Sequence, residues 1–150
     1  GGWRILSTES FKIPFSSDMM SWKIDDHGFQ MTLSAQVPKR IAEELRGPID
    51  AWLAKIGKSI TEINHWVVHP GGPRILDAVD EAMGLEETTL WASRKTLENY
   101  GNMSSPTIAF IMEEICNPTA EATHNKLDGF WMVLGFGPGL HAEAILLERV

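Results

Sequence analysis

The chain has 150 residues, 43% of them hydrophobic and 22% charged, which is the composition of one globular domain and not of a disordered segment. Its formal net charge of −7, without a cluster of Lys and Arg, argues against a nucleic-acid partner. The longest apolar runs, such as residues 131–134, are too short to cross a bilayer, so we expect no membrane partner. The single cysteine, Cys116, cannot form a disulfide within the chain and fits a reducing, cytoplasmic compartment.

The first third of the chain predicts β structure followed by a helix. Loosely alternating apolar residues indicate a strand within 3–15, and SWKIDDHGFQMTLSA (21–35) predicts a hairpin that turns at Asp25–Gly28. Val37-Pro38 opens a helix whose apolar residues recur at helical spacing up to Ile56, and Gly57 closes it. Gly47-Pro48 interrupts that pattern, so a kink or two shorter helices are both open.

Strands and helices alternate in the rest of the chain. We predict a strand buried on both faces, three helices, a polar loop and a closing hairpin around GFGPG. The buried strand is Ile63–Val68. The three helices are Pro73–Gly84, Trp91–Tyr100 and a helix opened by Ser105-Pro106. The polar loop is Cys116–Asp128, and the closing hairpin pairs the strands Phe130–Phe136 and Ala142–Leu147. The pattern predicts an α/β layered fold in which a mixed sheet packs against helices.

His69 stands between an apolar run and the segment Pro-Gly-Gly-Pro. A lone histidine in this position is commonly structural. The following glycines let a ligand approach the backbone, however, and the helix that starts at Pro73 favours a negative charge. His65 and His69 do not predict a zinc pair, because residues i and i+4 of a strand lie about 13 Å apart. We therefore expect no metal here, and we leave both a structural and a ligand-binding role open.

Three other features allow a functional and a structural interpretation. Asn102 in GNMSS either ends a helix in the left-handed conformation or offers a fixed side-chain amide. Cys116 is predicted at a helix C-terminus, the wrong end of the helix dipole for a reactive thiolate. GFGPG lacks the third glycine and the following helix of a dinucleotide fingerprint, so it indicates a tight turn that shapes a cavity wall.

The motifs HPGGP, GNMSS and GFGPG, in this order, resemble the C-terminal half of type III polyketide synthases, the chalcone and stilbene synthase family. The similarity extends over nearly the whole chain through WKIDDHGFQMTLSAQVP, NHWVVHPGGPRILDAV, SRKTLENYGNMSSPTIAFIMEE and GFGPGLHAEAILLERV, the first of which is closer to bacterial members. The resemblance implies that residues 1–150 form one half of a thiolase-like layered fold. The N-terminal half, which carries the nucleophilic cysteine in this family, is absent from these residues. The family is usually homodimeric.

By motif, the resemblance implies that His69 and Asn102 are catalytic. It also implies five substrate-binding residues. Trp22 and Ser104 line the cavity, Met31 is a pocket residue, Phe136 forms part of the cavity wall, and Arg74 lies near the CoA tunnel mouth. The implied activity is an acyltransferase that condenses a starter acyl-CoA with malonyl-CoA by decarboxylative Claisen condensation. The CoA thioesters are substrates, and no cofactor is expected.

Two alternatives remain at the level of sequence. The chain could be a non-catalytic thiolase-like module that binds acyl-CoA or a partner chain, or a relative of the ketoacyl-acyl-carrier-protein synthases. For the 150 residues alone, without a nucleophilic cysteine, we expect no condensing activity.

Overall fold

The structure is a computed structural model that describes residues 2–118 and 127–150. Its strands are β1 (Trp3–Lys12), β2 (Met20–Asp25), β3 (Gly28–Leu33), β4 (Ile63–Val68), β5 (Phe130–Gly137) and β6 (His141–Arg149). Its α-helices are α1 (Val37–Glu44), α2 (Arg46–Lys55), α3 (Pro73–Met83), α4 (Trp91–Tyr100) and α5 (Pro106–Cys116), and a short 3-10 helix covers Ile60–Glu62. The predicted strand and helix types are confirmed in these residues, including the two shorter helices in place of one kinked helix.

The main sheet is mixed and has the strand order β1-β6-β5-β4. β4 and β5 are parallel, whereas β6 is antiparallel to both β5 and β1. The parallel pairing brings the carboxyl ends of β4 and β5 to one edge of the sheet, where His69 and the GFGPG segment follow. The predicted hairpin β2–β3 is confirmed and forms a separate two-stranded sheet.

Helices cover both faces of the main sheet and create two cores. Alternate strand residues such as Trp66, Val68 and Leu134 pack against α1, α2 and α3. Val67, Trp131 and other residues of the opposite register pack against α4 and α5. Successive residues of a strand therefore face opposite helix layers. None of the helices within the described ranges is long and apolar enough to span a membrane.

Burial differs from the expectation in β4, and one predicted segment falls outside the described residues. β4 is fully buried only from Trp66 to Val68, because the helices cover the second half of the strand more completely; Ile63 and His65 are partly covered and Asn64 is exposed. The buried side of α4 is formed by small residues, Ala92, Ser93 and Thr96, while Tyr100 is 55% exposed. Most of the predicted loop Cys116–Asp128 (119–126) lies outside the described residues.

Candidate active site

β4 delivers His69 to the carboxyl edge of the sheet. The backbone N–H of His69 donates to the Leu134 carbonyl at 2.8 Å, which extends the β4–β5 pairing by one residue. Because side chains alternate along a strand, His69 faces the same side as Val67, the side that α4 and α5 cover. The imidazole is half-buried, so it lies at the rim of this layer and not within the core.

The loop between α4 and α5 contacts this imidazole. His69 Nε2 lies 3.1 Å from the carbonyl oxygen of Ser104, a residue 35 positions along the chain. A carbonyl oxygen can only accept, so Nε2 carries the proton and donates it. The structure thus brings HPGGP and GNMSS together at one point.

Asn102 is held by the same residue. Its Oδ1 accepts the backbone N–H of Ser104 at 2.8 Å, which closes a local side-chain turn. With Oδ1 engaged, the exposed side chain keeps its Nδ2 donor available. The left-handed interpretation of Asn102 is wrong, because positive φ angles fall on Gly101 (70°) and Ser104 (64°) instead. The loop therefore presents Asn102 as a fixed amide.

Thr107, in the first turn of α5, supports this loop and was missed by the sequence analysis. Its side chain is fully buried, and its Oγ1 accepts the Met103 N–H at 3.0 Å. Its own backbone N–H donates to the Ser104 carbonyl at 3.0 Å. A hydroxyl residue just inside a helix start is the one sequence signal that pointed to it. Ser105 does precede α5 as predicted, but its side chain makes no capping hydrogen bond.

β5 contributes a surface without side chains beside His69. Gly135 and Gly137 continue the register of Trp131 and Val133, and a Cβ atom at either glycine would meet no described atom within 4 Å. Phe136 alternates to the other face, where it packs partly buried against the α1–α3 core. The sheet edge next to the imidazole is therefore open, and Phe136 supports it from behind.

The hairpin reaches this edge through the GFGPG turn. The N–H of Gly139 donates to the Met20 carbonyl at 2.6 Å, and Gly139 has a φ of 75°. Further along the hairpin, Trp22 and Met31 are direct cross-strand partners. They are 51% and 54% exposed, so they form an open apolar pair.

Arg74 follows the Pro-Gly-Gly-Pro segment as the second residue of α3. It is exposed and forms no ion pair with any described residue. Gly72 before it has an extended backbone and open space at its Cβ position, and a Cβ at Gly71 would only touch Ile75 at an ordinary 3.5 Å. No packing within the described chain requires either glycine, so the helix start and Arg74 remain accessible to an anion.

Cys116 lies far from this edge. It ends α5, whereas Ser104 adjoins the first turn, so the helix separates them by about 15 Å. Burial raises the pKa of its thiol, with a smaller opposing effect from Arg149, so the neutral form predominates. Among the described residues, no three His, Cys, Asp or Glu side chains are grouped so as to hold a metal ion.

Comparisons with known proteins agree with the motifs and with the fold. A family model described as chalcone and stilbene synthases, C-terminal domain, matches residues 5–150. PKS-I from the brown alga Ectocarpus siliculosus has a similar structure, with a TM-score of 0.87 and 29% sequence identity over 99% of this chain. This chain spans only 40% of PKS-I. The predicted thiolase-like α/β fold is confirmed, and the chain belongs to the chalcone and stilbene synthase family as its C-terminal domain.

Proposed function

We propose that the chain supplies the decarboxylation site of an acyltransferase that condenses a starter acyl-CoA with malonyl-CoA. The observation that carries the proposal is the shared attachment of two side chains to Ser104. Its carbonyl accepts from His69 Nε2 and its amide donates to Asn102 Oδ1. The side chains that carry an imidazole N–H and a carboxamide NH₂ are thereby both bonded to the same residue at an open sheet edge.

Two such donors can stabilise the enolate that forms when malonyl-CoA loses carbon dioxide. The electron pair of the breaking C–C bond moves toward the thioester carbonyl, and negative charge develops on its oxygen. The His69 Nε2–H and the Asn102 Nδ2–H would donate to that oxygen as an oxyanion hole. The enolate carbon would then attack an acyl group on a cysteine of the N-terminal half.

The hydrogen bonds of the Ser104 carbonyl allow a thioester to replace it at His69. That carbonyl has two donors, His69 Nε2 at 3.1 Å and the Thr107 N–H at 3.0 Å. When a thioester takes the imidazole proton, the carbonyl keeps the bond to Thr107 and is not left unsatisfied. The exchange therefore costs at most one hydrogen bond, which the new bond to the substrate offsets.

The surrounding residues suit the rest of a CoA thioester. The side-chain-free surface of Gly135 and Gly137 leaves room beside His69, and exposed Arg74 offers a cation for a phosphate. Ser104 and Phe136 border the same edge, and the exposed Trp22–Met31 pair offers an apolar surface to a growing acyl chain. We assign Trp22, Met31, Arg74 and Ser104 to substrate binding, and Phe136 to the cavity wall, which it supports from behind.

The remaining parts of the proposal come from the family. The active protein is proposed to be a cytoplasmic homodimer whose N-terminal half provides the nucleophilic cysteine. It needs no cofactor, because both substrates arrive as activated thioesters.

The test uses the full-length protein that carries this chain. Replacing His69 by Gln, or Asn102 by Ala, should slow carbon dioxide release from malonyl-CoA by about 10²–10³-fold each, the usual loss of one oxyanion-hole donor. His65→Gln, the same change on the same strand, is the matched control and should leave the rate unchanged. Circular dichroism verifies the fold of each variant.

Near-normal carbon dioxide release in both the His69 and Asn102 variants would refute the assignment. Wild-type protein that binds acyl-CoA but releases no carbon dioxide would instead identify a non-catalytic module. The 150-residue chain alone should give no condensation product.

A further inference from the structure

Thr107 bonds two backbone groups of the GNMSS loop. Its hydroxyl accepts the N–H of Met103 at 3.0 Å, and its backbone N–H donates to the carbonyl of Ser104 at 3.0 Å. The side chain is 0% exposed, so no water competes for the Met103 N–H. Thr107 therefore ties the loop to the first turn of α5, an element fixed by its own packing against β4.

This attachment determines where the Ser104 carbonyl points. Ser104 has a φ of 64°, a left-handed conformation that serine adopts rarely, so the loop needs external bonds to keep it. The bonds from Thr107 and from the Asn102 side chain provide them. The result is a carbonyl oxygen 3.1 Å from His69 Nε2.

We propose that Thr107 is a positioning residue that fixes the tautomer of His69. A neutral imidazole carries one N–H, and a carbonyl accepts only, so the Ser104 carbonyl selects the Nε2–H form. Its value for catalysis rests on the proposed function, because only the Nε2–H form has a proton to offer a thioester at this position. The tautomer itself is a property of the unliganded chain and is independent of that function.

The experiment measures the two imidazole nitrogens of His69 in the full chain. Histidine is labelled with ¹⁵N, and long-range ¹H–¹⁵N spectra are recorded without ligand at a pH where the ring is neutral. The wild-type chain should show a protonated Nε2 and an unprotonated Nδ1. Thr107→Val, which keeps the side-chain shape but loses the acceptor, should shift the tautomer ratio about threefold to tenfold toward Nδ1–H, the equivalent of one hydrogen bond. Thr107→Ser, which keeps the hydroxyl, should match the wild type.

Three results would overturn this inference. They are an Nδ1–H tautomer in the wild type, an unchanged ratio in a folded Thr107→Val chain, and a shifted ratio in Thr107→Ser. An Nδ1–H tautomer in the wild type would overturn the inference even if Thr107→Val does not fold. A shifted ratio in Thr107→Val together with normal carbon dioxide release in the His69 variants would support the role of Thr107 and refute the proposed function.

Discussion

Gly129 precedes β5, and replacing it by alanine should destabilise the chain through two separable effects. Its φ is 101°, and an added Cβ would overlap Asn64 Oδ1 and lie 2.5 Å from Asn64 Cγ. The left-handed backbone costs alanine about 1–2 kcal/mol. The Asn64 side chain must also move and lose the N–H of Phe130, which it accepts at 2.8 Å, at a cost of about 0.5–1.5 kcal/mol or more. We expect a total loss of about 2–4 kcal/mol in the free energy of unfolding.

Two other glycines separate these effects. Gly57 has a φ of 67° but open space at its Cβ position, so Gly57→Ala should lose only about 1–2 kcal/mol. Gly47 lies in α2 with open space and an ordinary φ, so Gly47→Ala should be neutral or stabilise by about 0.5–1 kcal/mol. Urea unfolding followed by tryptophan fluorescence gives all three values.

A double-mutant cycle tests the contact with Asn64 directly. In Asn64→Ala the Oδ1 and Cγ atoms are gone, so adding Gly129→Ala should cost less than it does in the wild type. Equal losses for Gly129→Ala and Gly57→Ala, or strict additivity in the cycle, would show that the overlap carries no cost.

The other predictions concern titratable groups. The Ser59 backbone N–H lowers the pKa of Glu62, so the stability advantage of wild type over Glu62→Gln should be constant at neutral pH and disappear as pH falls through the lowered value. Burial raises the pKa of Asp80 despite Arg94, so wild type should gain stability over Asp80→Asn as pH falls through the raised value. Urea unfolding at several pH values checks the sign of both effects. An equal pH dependence of stability in wild type and variant would contradict either prediction. The half-buried thiol of Cys116, whose pKa is raised, should react with iodoacetamide more slowly in the folded chain than in urea, and Cys116→Ala should leave carbon dioxide release of the full-length protein unchanged.

Sequence patterns predicted the elements well wherever the signal was local. Pro73 and Pro106 start α3 and α5 because a helix leaves its first N–H groups unpaired, and Gly84 ends α3 with a φ of 65°. The sequence failed where neighbouring elements decide burial. β4 is fully buried only in its second half, where the helix layers cover it more completely. The buried side of α4 consists of small residues because α4 packs closely against β4, with the Ser93 hydroxyl accepting the Val68 N–H.

The candidate site, like the fold, is only partly predictable from local sequence patterns. Motifs identify His69 and Asn102 as individual residues, but the left-handed conformation that is one of the two interpretations of Asn102 belongs to Ser104. Asparagine tolerates that conformation better than serine, so local preference pointed to the wrong residue. Hydrogen bonds from Thr107 and Asn102 override the preference, and Thr107 has no motif of its own. The homodimer, the cytoplasmic location and the bacterial character remain predictions.

The amino-acid sequence by itself determined the strands, the helices with their Pro and Gly boundaries, and the family, since these depend on backbone preferences over a few residues. Only the tertiary structure decided that the Ser104 carbonyl meets the imidazole of His69 across 35 residues. That contact exists because α4 and α5 pack on one face of β4 and carry their connecting loop to the end of the strand. No short-range preference encodes it, and the orientation of the proposed His69 donor depends on it.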